Sequence, residues 1–550
     1  MIWFRLMCAG TALTLLAACG LEGDSSTPRL TAVTPSENST DVATDTAVTV
    51  TFNETLFADT LTSNSLTLFM GSTPVAGDLG YDATTNSLVF TPSNPLPLAT
   101  TFTVTYGEGI TDLARNPVST GQTNFTTLDG IWQPTASLST TLSNANSPSV
   151  AIDDNGYGVA IWIESDSFYE AVHAAHYVPG TGWNAPGIID VFSFGDATSP
   201  TLELNKNTGQ VLVTWIEDNA GTAELWATLY DPSIGWGTPQ KITDSTDNVS
   251  GAATSYLSAS GIATVVWTEI NATVNQVWGN QYNPSSGWGT PTLIQQDAAE
   301  NGQSPILSGN SNDQLALIWQ QSNAGSQFNV YFSEFLPASG WSAPTEIDAT
   351  TENSIRGDVD INDNGQIIAF WSQIAGTNGD AYFSSYDSAS GWSTPSLVIP
   401  GNGEVVGVSR VMLAADGNAQ VFYGVGGVGT GFELFTATYA SGQWEAPIVI
   451  AQEAGKDVLQ LSINSNQFGV IQTSWIEVQG QANTATESFI RQRRYRPGVG
   501  WEAAETLHGV AGELSTLSRI ALAPSGESLL VWKQQDAATN TTILRRVFSQ

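Results

Sequence analysis

An aromatic residue returns about every fifty-two positions through most of this chain, and that period constrains the fold more than any other feature. Trp162, Trp215, Trp267, Trp319, Trp371, Trp475 and Trp532 each close a β-rich run, with Tyr423 filling the one gap, at successive spacings of 53, 52, 52, 52, 52, 52 and 57. Six residues earlier stands Gly156, Gly209, Gly261, Gly365, Gly417, Gly469 or Gly526, and in the fourth copy Asp313. Glycine gives a tight hairpin turn the positive φ it needs. Each copy therefore predicts a strand, a turn, and a second strand that ends in a large ring. A fixed period of this length means units that bury their apolar faces only by stacking on one another.

A second ring follows in each unit, at Tyr177, Tyr230, Tyr282, Phe335, Tyr386, Tyr439, Tyr495 and Phe548. Another tryptophan comes after it, at Trp183, Trp236, Trp288, Trp341, Trp392, Trp444 and Trp501, as in the "GWGTP" of 235–239 and 287–291. The interval is six residues, five in one unit, so an eighth tryptophan falls due at 554, past the last residue, Gln550. The segment "GIWQPTASLS" (130–139) carries Trp132 and Pro134 ahead of the first full unit. An open solenoid would end in polar caps and has no reason to divide one repeat between its ends. A ring has such a reason, because closure removes the exposed strand edges. The expected architecture is an eight-bladed β-propeller over 130–550, four strands per blade, closed by N-/C-terminal strand exchange. The unit resembles the sialidase-like and fucose-lectin-like propellers, whose blades also carry a Gly-Trp strand. The sialidase Asp-box is missing: glycine and tryptophan stand six apart here, not three, so sialidase chemistry does not follow from the likeness.

The N-terminus reads as an address. Arg5 precedes the apolar "LMCAGTALTLL" (6–16), which is too short to span a bilayer. The following Leu16-Ala17-Ala18-Cys19 resembles the lipobox of bacterial lipoproteins. That resemblance implies cleavage after residue 18, acylation of Cys19 and a tether over 19–28. Gly20 is not the aspartate that retains enteric lipoproteins at the inner membrane, so the resemblance implies the outer membrane. Cys8 leaves with the signal, and a mature chain with one cysteine has no internal disulfide.

Residues 29–128 alternate seven short β-rich runs with turn residues, as a β-sandwich does. The stretches "VTPSENSTDVATDTAVTVTFNETL" (33–56), "FTPSNPLPLATTFTVTYGEGITDLARNPV" (90–118) and "NFTT" (124–127) resemble the bacterial Ig-like domain of the S-layer protein SbsA. Thr55 departs from the proline common in that family. The resemblance implies a spacer or adhesion module. The whole chain is thus expected to be all-β, an Ig-like β-sandwich followed by the propeller.

Charge narrows the partners. Without residues 1–18 the chain keeps 15 basic and 52 acidic residues, a balance of −37. A surface of that sign repels phosphate, which excludes nucleic acid.

Against that background the arginines stand out. Arg410 and Arg519 lie thirteen residues before Tyr423 and Trp532, and Arg356 lies two positions earlier in its own unit. Together they are candidates for holding a carboxylate at the propeller mouth by their forked donors. Arg493 and Arg546 are equivalent by their distance from Tyr495 and Phe548, where other units carry small neutral residues such as Ala175 and Thr228. They form a second candidate anion or partner patch, although in so acidic a chain arginines commonly cross-link elements. "DINDNG" (360–365) opens like an EF-hand loop, but Trp371 stands where the twelfth-position glutamate belongs, so it reads as the ordinary turn. His173, His176 and His508 offer no zinc set. Trp226, Trp278, Tyr331, Tyr382 and Phe435 recur four residues before the unit's second ring and read as core between blades. No nucleophile elbow or phosphate-cradling loop occurs, and no cofactor is expected.

The expectation is a monomeric, lipid-anchored extracytoplasmic protein that displays a propeller face to glycans or to an envelope protein. One alternative is a sialidase-like glycoside hydrolase at the propeller mouth. The other is an outer-membrane assembly scaffold.

Overall fold

The computed structural model describes residues 25–550 apart from 141–143, 166–168, 191–194, 245, 296, 323–326, 349–351, 377, 428–430, 453–455, 480–486, 537 and 539. The signal segment and Cys19 lie outside the described residues. Two compact units divide after Asp129. The described residues are all-β, with one 3-10 turn at Ala58–Thr60 as the only helical segment among them.

The first unit is a two-sheet sandwich. One sheet orders Leu30–Thr34, Val48–Phe52, Ser87–Pro92 and Gly77–Asp82. The other orders Ser39–Val42, Gly121–Thr127, Thr101–Tyr106, Leu66–Met70 and Thr73–Pro74. Strict alternation decides which side chains enter the core: Val48, Val50 and Phe52 point inward while Thr49 and Thr51 stay half-buried. Phe102 and Phe125 stack across the neighbouring pair at 5.5 Å and fill the centre of the same cluster.

The second unit, Gly130–Gln550, is propeller-like, a succession of small antiparallel meanders. In sheet two, Ala197–Leu204, Val211–Asn219, Thr222–Asp231 and Gly235–Trp236 pair in sequence order. Six further groups repeat that order: numbered along the chain, sheets one and three to seven open with Asn146–Ile152, Asn248–Leu257, Gly302–Gly309, Asn353–Ile361, Val405–Leu413 and Lys456–Ser465. Sheet eight orders Leu514–Leu522, Ser528–Gln535 and Thr541–Ser549, and sheets five and six are joined by a parallel bridge between Gly379 and Val405. The turn glycines take left-handed backbone, Gly156 at φ 83° and Gly526 at φ 86°. Asp313, the one exception in sequence, adopts the same region at φ 59°.

Tryptophan makes the core. Trp162, Trp215, Trp267, Trp319, Trp371, Trp475 and Trp532 are almost wholly buried, as is Tyr423. A buried indole N–H needs an acceptor, and the residue two positions on often supplies it. Trp215 donates to Glu217 and Trp267 to Glu269, both at 3.0 Å, and Trp319 to Gln321 at 2.9 Å. Directly across the next strand stand Trp226, Trp278, Tyr331, Tyr382 and Phe435, each paired with its unit's main ring. These rings pack in and between sheets, with Tyr423 and Phe435 stacked at 5.5 Å.

Neighbouring sheets share hydrophobic clusters. Leu212 and Leu225 of sheet two pack with Val265 and Trp267 of sheet three. Val150, Ile152 and Trp162 of sheet one pack with Leu529, Val531 and Ile543 of sheet eight. Sheet eight takes its fourth strand from the other end of the unit: Ile131 pairs with Ser549 and Trp132 with Phe548. Trp132 meets the Phe548 ring at 5.4 Å, the relation Trp236 has to Tyr230 at 5.2 Å.

Candidate functional site

The first strand of each meander lies at the edge of its own meander, that of sheet six touching sheet five through the single Gly379–Val405 bridge, and each is bulged at the same place, facing the main ring. In sheet one, Asn146 pairs with Ile163 and Ser149 with Ile161, so Ser147 and Pro148 both oppose Trp162. The same break occurs at 199–200, 304–305 and 517–518, and the residue that opens it is left-handed: Ser147 at φ 50°, Ser199 at 52°, Ser304 at 54° and Leu517 at 54°. A bulge re-aims the side chains that follow it. The first residue after it forms one layer, which includes Ser149, Asp358, Arg410, Ser462 and Arg519. Two positions on, a second layer includes Glu203, Tyr256, Ser308 and Asp360.

These layers satisfy the free edges. Strands in this position would leave backbone N–H groups without a ladder partner, and side chains of the preceding sheet accept them. Asp358 accepts from Val411 N–H at 2.6 Å, Asp360 from Leu413 N–H at 2.8 Å, and Ser462 from Ile520 N–H at 3.1 Å. Ser308 donates its hydroxyl to Asp360 at 2.7 Å.

Charge collects on these strands. Arg410 Nε lies 4.0 Å from Asp358 Oδ2, and its side chain is 52% exposed while that of Asp358 is 7% exposed. Asp358 beside it, then Asp360 and Glu203, hold the Arg410 guanidinium above its usual value against the opposing effect of burial. Burial pushes Glu203 up to about 7, a rise that Arg410 and then Lys206 partly offset. Asp358 is likewise pushed up to about 6 by burial, offset by Arg410 and by the Val411 N–H. Burial also lowers the Lys206 ammonium, against the pull of Asp154 and Glu203. Glu203 belongs to sheet two and Arg410 to sheet six, so their interaction joins first strands that are distant in the chain. Such a cluster presents a forked cation, an ammonium and carboxyl groups that titrate near neutrality, a set able to hydrogen-bond a polar ligand and to exchange protons with it.

The arginines singled out in sequence are distributed unequally. Arg410 meets Asp358, Asp360 and Glu203. Arg519 sits in the same layer of sheet eight, exposed, and among the described residues its side chain makes one hydrogen bond, from Nη1 to Ser518 O at 3.0 Å. Arg356 occupies the bulge of sheet five, and its side chain lies outside the described residues. Arg493 and Arg546 lie on third strands and are not brought to this cluster. Arg493 donates to Glu502 O at 2.6 Å and Val449 O at 2.7 Å. Arg546 donates to Gln133 O at 2.8 Å, to Trp132 O at 3.2 Å and to Leu507 O. Smaller residues do the same at this position elsewhere, such as Thr228 to Gly237 O at 2.9 Å and Asn280 to Gly289 O at 3.1 Å. Asn362 of the EF-hand-like stretch spends its amide oxygen on its own turn, accepting from Asn364 and Gln366 N–H at 3.1 Å each.

Sequence reasoning did not single out Glu203, Lys206 or Asp358, and it weighed Asp360 only as the start of the EF-hand-like stretch 360–365. One signal was available: Asp358 stands thirteen residues before Trp371, the register of Arg410 and Arg519.

No curated protein matches the chain in sequence. The chain is similar to a solved polysaccharide lyase, the PL25 ulvan lyase, at 9% identity and a TM-score of 0.45, over 64% of this chain and 94% of that one. It is also similar to an α-L-arabinanase from Penicillium chrysogenum at 15% identity and a TM-score of 0.33, over 53% and 94%. The intramolecular trans-sialidase from Ruminococcus gnavus aligns at 12% identity and a TM-score of 0.31, over 76% and 96%. Residues 24–127 match the family of bacterial Ig-like domains.

Proposed function

We propose that this chain is a lipid-anchored extracytoplasmic binding protein that displays the charged first strands of its repeat unit to a glycan or another envelope partner. In this reading the eight meanders form an eight-bladed β-propeller closed by strand exchange. The pairing of Trp132 with Phe548 and the packing of sheet one on sheet eight support closure. First strands then line the axial channel, which fits the influence of Arg410 on Glu203 from four sheets away.

The observation that carries the reading is the contrast between the two environments. Blade interiors hold tryptophan and aliphatic residues, whereas Glu203, Asp358, Asp360 and Arg410 crowd the first strands, with Lys206 in the turn that follows Glu203's strand, and burial works against most of these charges. Charges kept at such a cost are candidates for ligand recognition. An Ig-like spacer ahead of the propeller suits presentation away from a membrane, and Cys19 would carry the anchor at the outer membrane.

A glycan array probed with the chain from residue 29 tests the binding half, with retained binding to at least one class expected. Silence across the array and across envelope extracts would count against it. Labelling with radioactive palmitate, lost in Cys19→Ser, tests the anchor. A hydrolase is the second reading, favoured by Glu203 near 7 and Asp358 near 6, values suited to general acids at neutral pH. Turnover of chromogenic glycosides that Glu203→Gln abolishes would decide for it.

A further inference from the structure

The repeat contains its own control for the meaning of an arginine. Arg410 and Arg519 follow the bulge in sheets six and eight and are equivalent by pairing, opposite Phe422 and Val531. In front of each, the preceding sheet offers a side chain that accepts the next backbone N–H: Asp358 for Val411, Ser462 for Ile520. Asp358 therefore does two things, capping the edge and neutralising Arg410, whereas Ser462 caps the edge and brings no charge. Among the described residues no carboxylate pairs with Arg519, although the chain holds 52 acidic residues against 16 basic ones. Protein crowds the Arg519 guanidinium enough that burial holds it below its usual value, yet water reaches it. An uncompensated cation in so acidic a chain, open to solvent and with most of its donors unused, is arranged for an anion from outside.

Building on the binding reading above, we propose that Arg519 recognises a singly charged anionic group, a carboxylate or sulfate ester, on the ligand that enters between the first strands. The fork of the guanidinium suits two oxygens of such a group, and Ser462 and Ser149 of the same layer are neutral neighbours that do not compete for it.

Thermal unfolding of the full-length chain tests this with glucuronate and glucose 6-sulfate as probes and with glucose and sodium chloride as controls. The midpoint is expected to rise with the logarithm of anion concentration for one or both probes and to stay flat for glucose; the responding probe tells carboxylate from sulfate ester. Arg519→Gln should weaken the apparent affinity about tenfold or more. In buffer alone Arg519→Gln should raise the midpoint, since it removes an uncompensated charge, while a merely structural arginine would lower it. The assignment is overturned if neither anion acts on the wild type, if R519Q responds equally, or if R519Q unfolds earlier without ligand. Binding of neutral glycans on the array together with failure here would leave the binding reading standing and remove Arg519 from it. Response to the anions with no glycan bound would do the reverse.

Discussion

Arg546 Nε donates to the carbonyl oxygen of Gln133 at 2.8 Å, joining residues 413 positions apart in the chain. Arg493 makes the same bond to Glu502 O within one sheet, so Gln133 occupies the place of a residue that would follow Phe548. Truncating Arg546 would strip donors from Gln133, Trp132 and Leu507 carbonyls at once. Arg546→Met should cost about 2–4 kcal/mol in urea unfolding. A chain beginning at residue 140, which lacks the segment that pairs with Thr541–Ser549, should expose the edge and aggregate, whereas one beginning at Gly130 should unfold cooperatively. Equal stability of the two would sink the closure.

The main rings differ in what they need from their surroundings. Trp267 Nε1 donates to Glu269 at 3.0 Å, while Trp371 Nε1 has no hydrogen-bond partner among the described residues. Sheet six already carries a tyrosine at this position, buried to 2% exposure. Trp371→Tyr should therefore cost less than Trp267→Tyr, which removes the indole donor from buried Glu269, and Trp267→Ala should cost about 3–5 kcal/mol. Guanidinium unfolding of the three variants orders them, and an inverted order for the two tyrosine variants would contradict the indole argument.

How much was legible follows from which forces act locally. The tryptophan ladder and the glycine turns could be read because each is a short-range requirement, a ring to fill a core and a φ that only a few residues accept. Counting alone pointed to Trp132 as the ring due after Phe548, and Trp132 does pair with Phe548. Ig-like strands were visible as period-two runs. Glu203 was not visible, because an extra residue in the second unit, with its spacing of 53, moves it out of step with Asp360 when counted from the tryptophan. Nor does the sequence announce that a bulge sits opposite every main ring, or that a carboxylate of sheet two feels an arginine of sheet six. Arg493 and Arg546 were distinctive in sequence for a reason that proved local: both reach backbone carbonyls that serine, threonine and asparagine reach in other sheets.

Asp313 is the exception among the turn glycines, and its backbone is left-handed at φ 59°. Among the described residues its carboxylate gains a 3.4 Å bond from Ser260 in compensation. Asp313→Gly should stabilise the chain by about 0.5–1 kcal/mol, and Asp313→Ala should destabilise it by a similar amount, since alanine meets the strain without the polar contact. Calorimetric midpoints on either side of the wild type are the expected outcome; a drop for the glycine variant would mean that the Ser260 contact outweighs the strain.

Glu217 gives the clearest dependence on pH. It is 2% exposed and accepts the Trp215 indole N–H at 3.0 Å, and burial pushes it up to about 7, with Asp190, Asp196 and Asp218 adding to the rise. Unfolded, it returns to the ordinary glutamate range near 4.5. Between these values the folded chain holds a proton that the unfolded chain has released, so stability rises as pH falls from about 8 toward about 5 and levels off below. Glutamine already serves the indole in two sheets, Gln321 for Trp319 and Gln534 for Trp532. Glu217→Gln should keep the bond and remove the charge, stabilising the chain by about 1–2 kcal/mol at pH 8, after allowance for solvent screening, and hardly at all at pH 5. Unfolding midpoints measured across that range in both proteins would decide it: the two curves should converge on the acid side, and parallel curves would mean that Glu217 is ionised throughout.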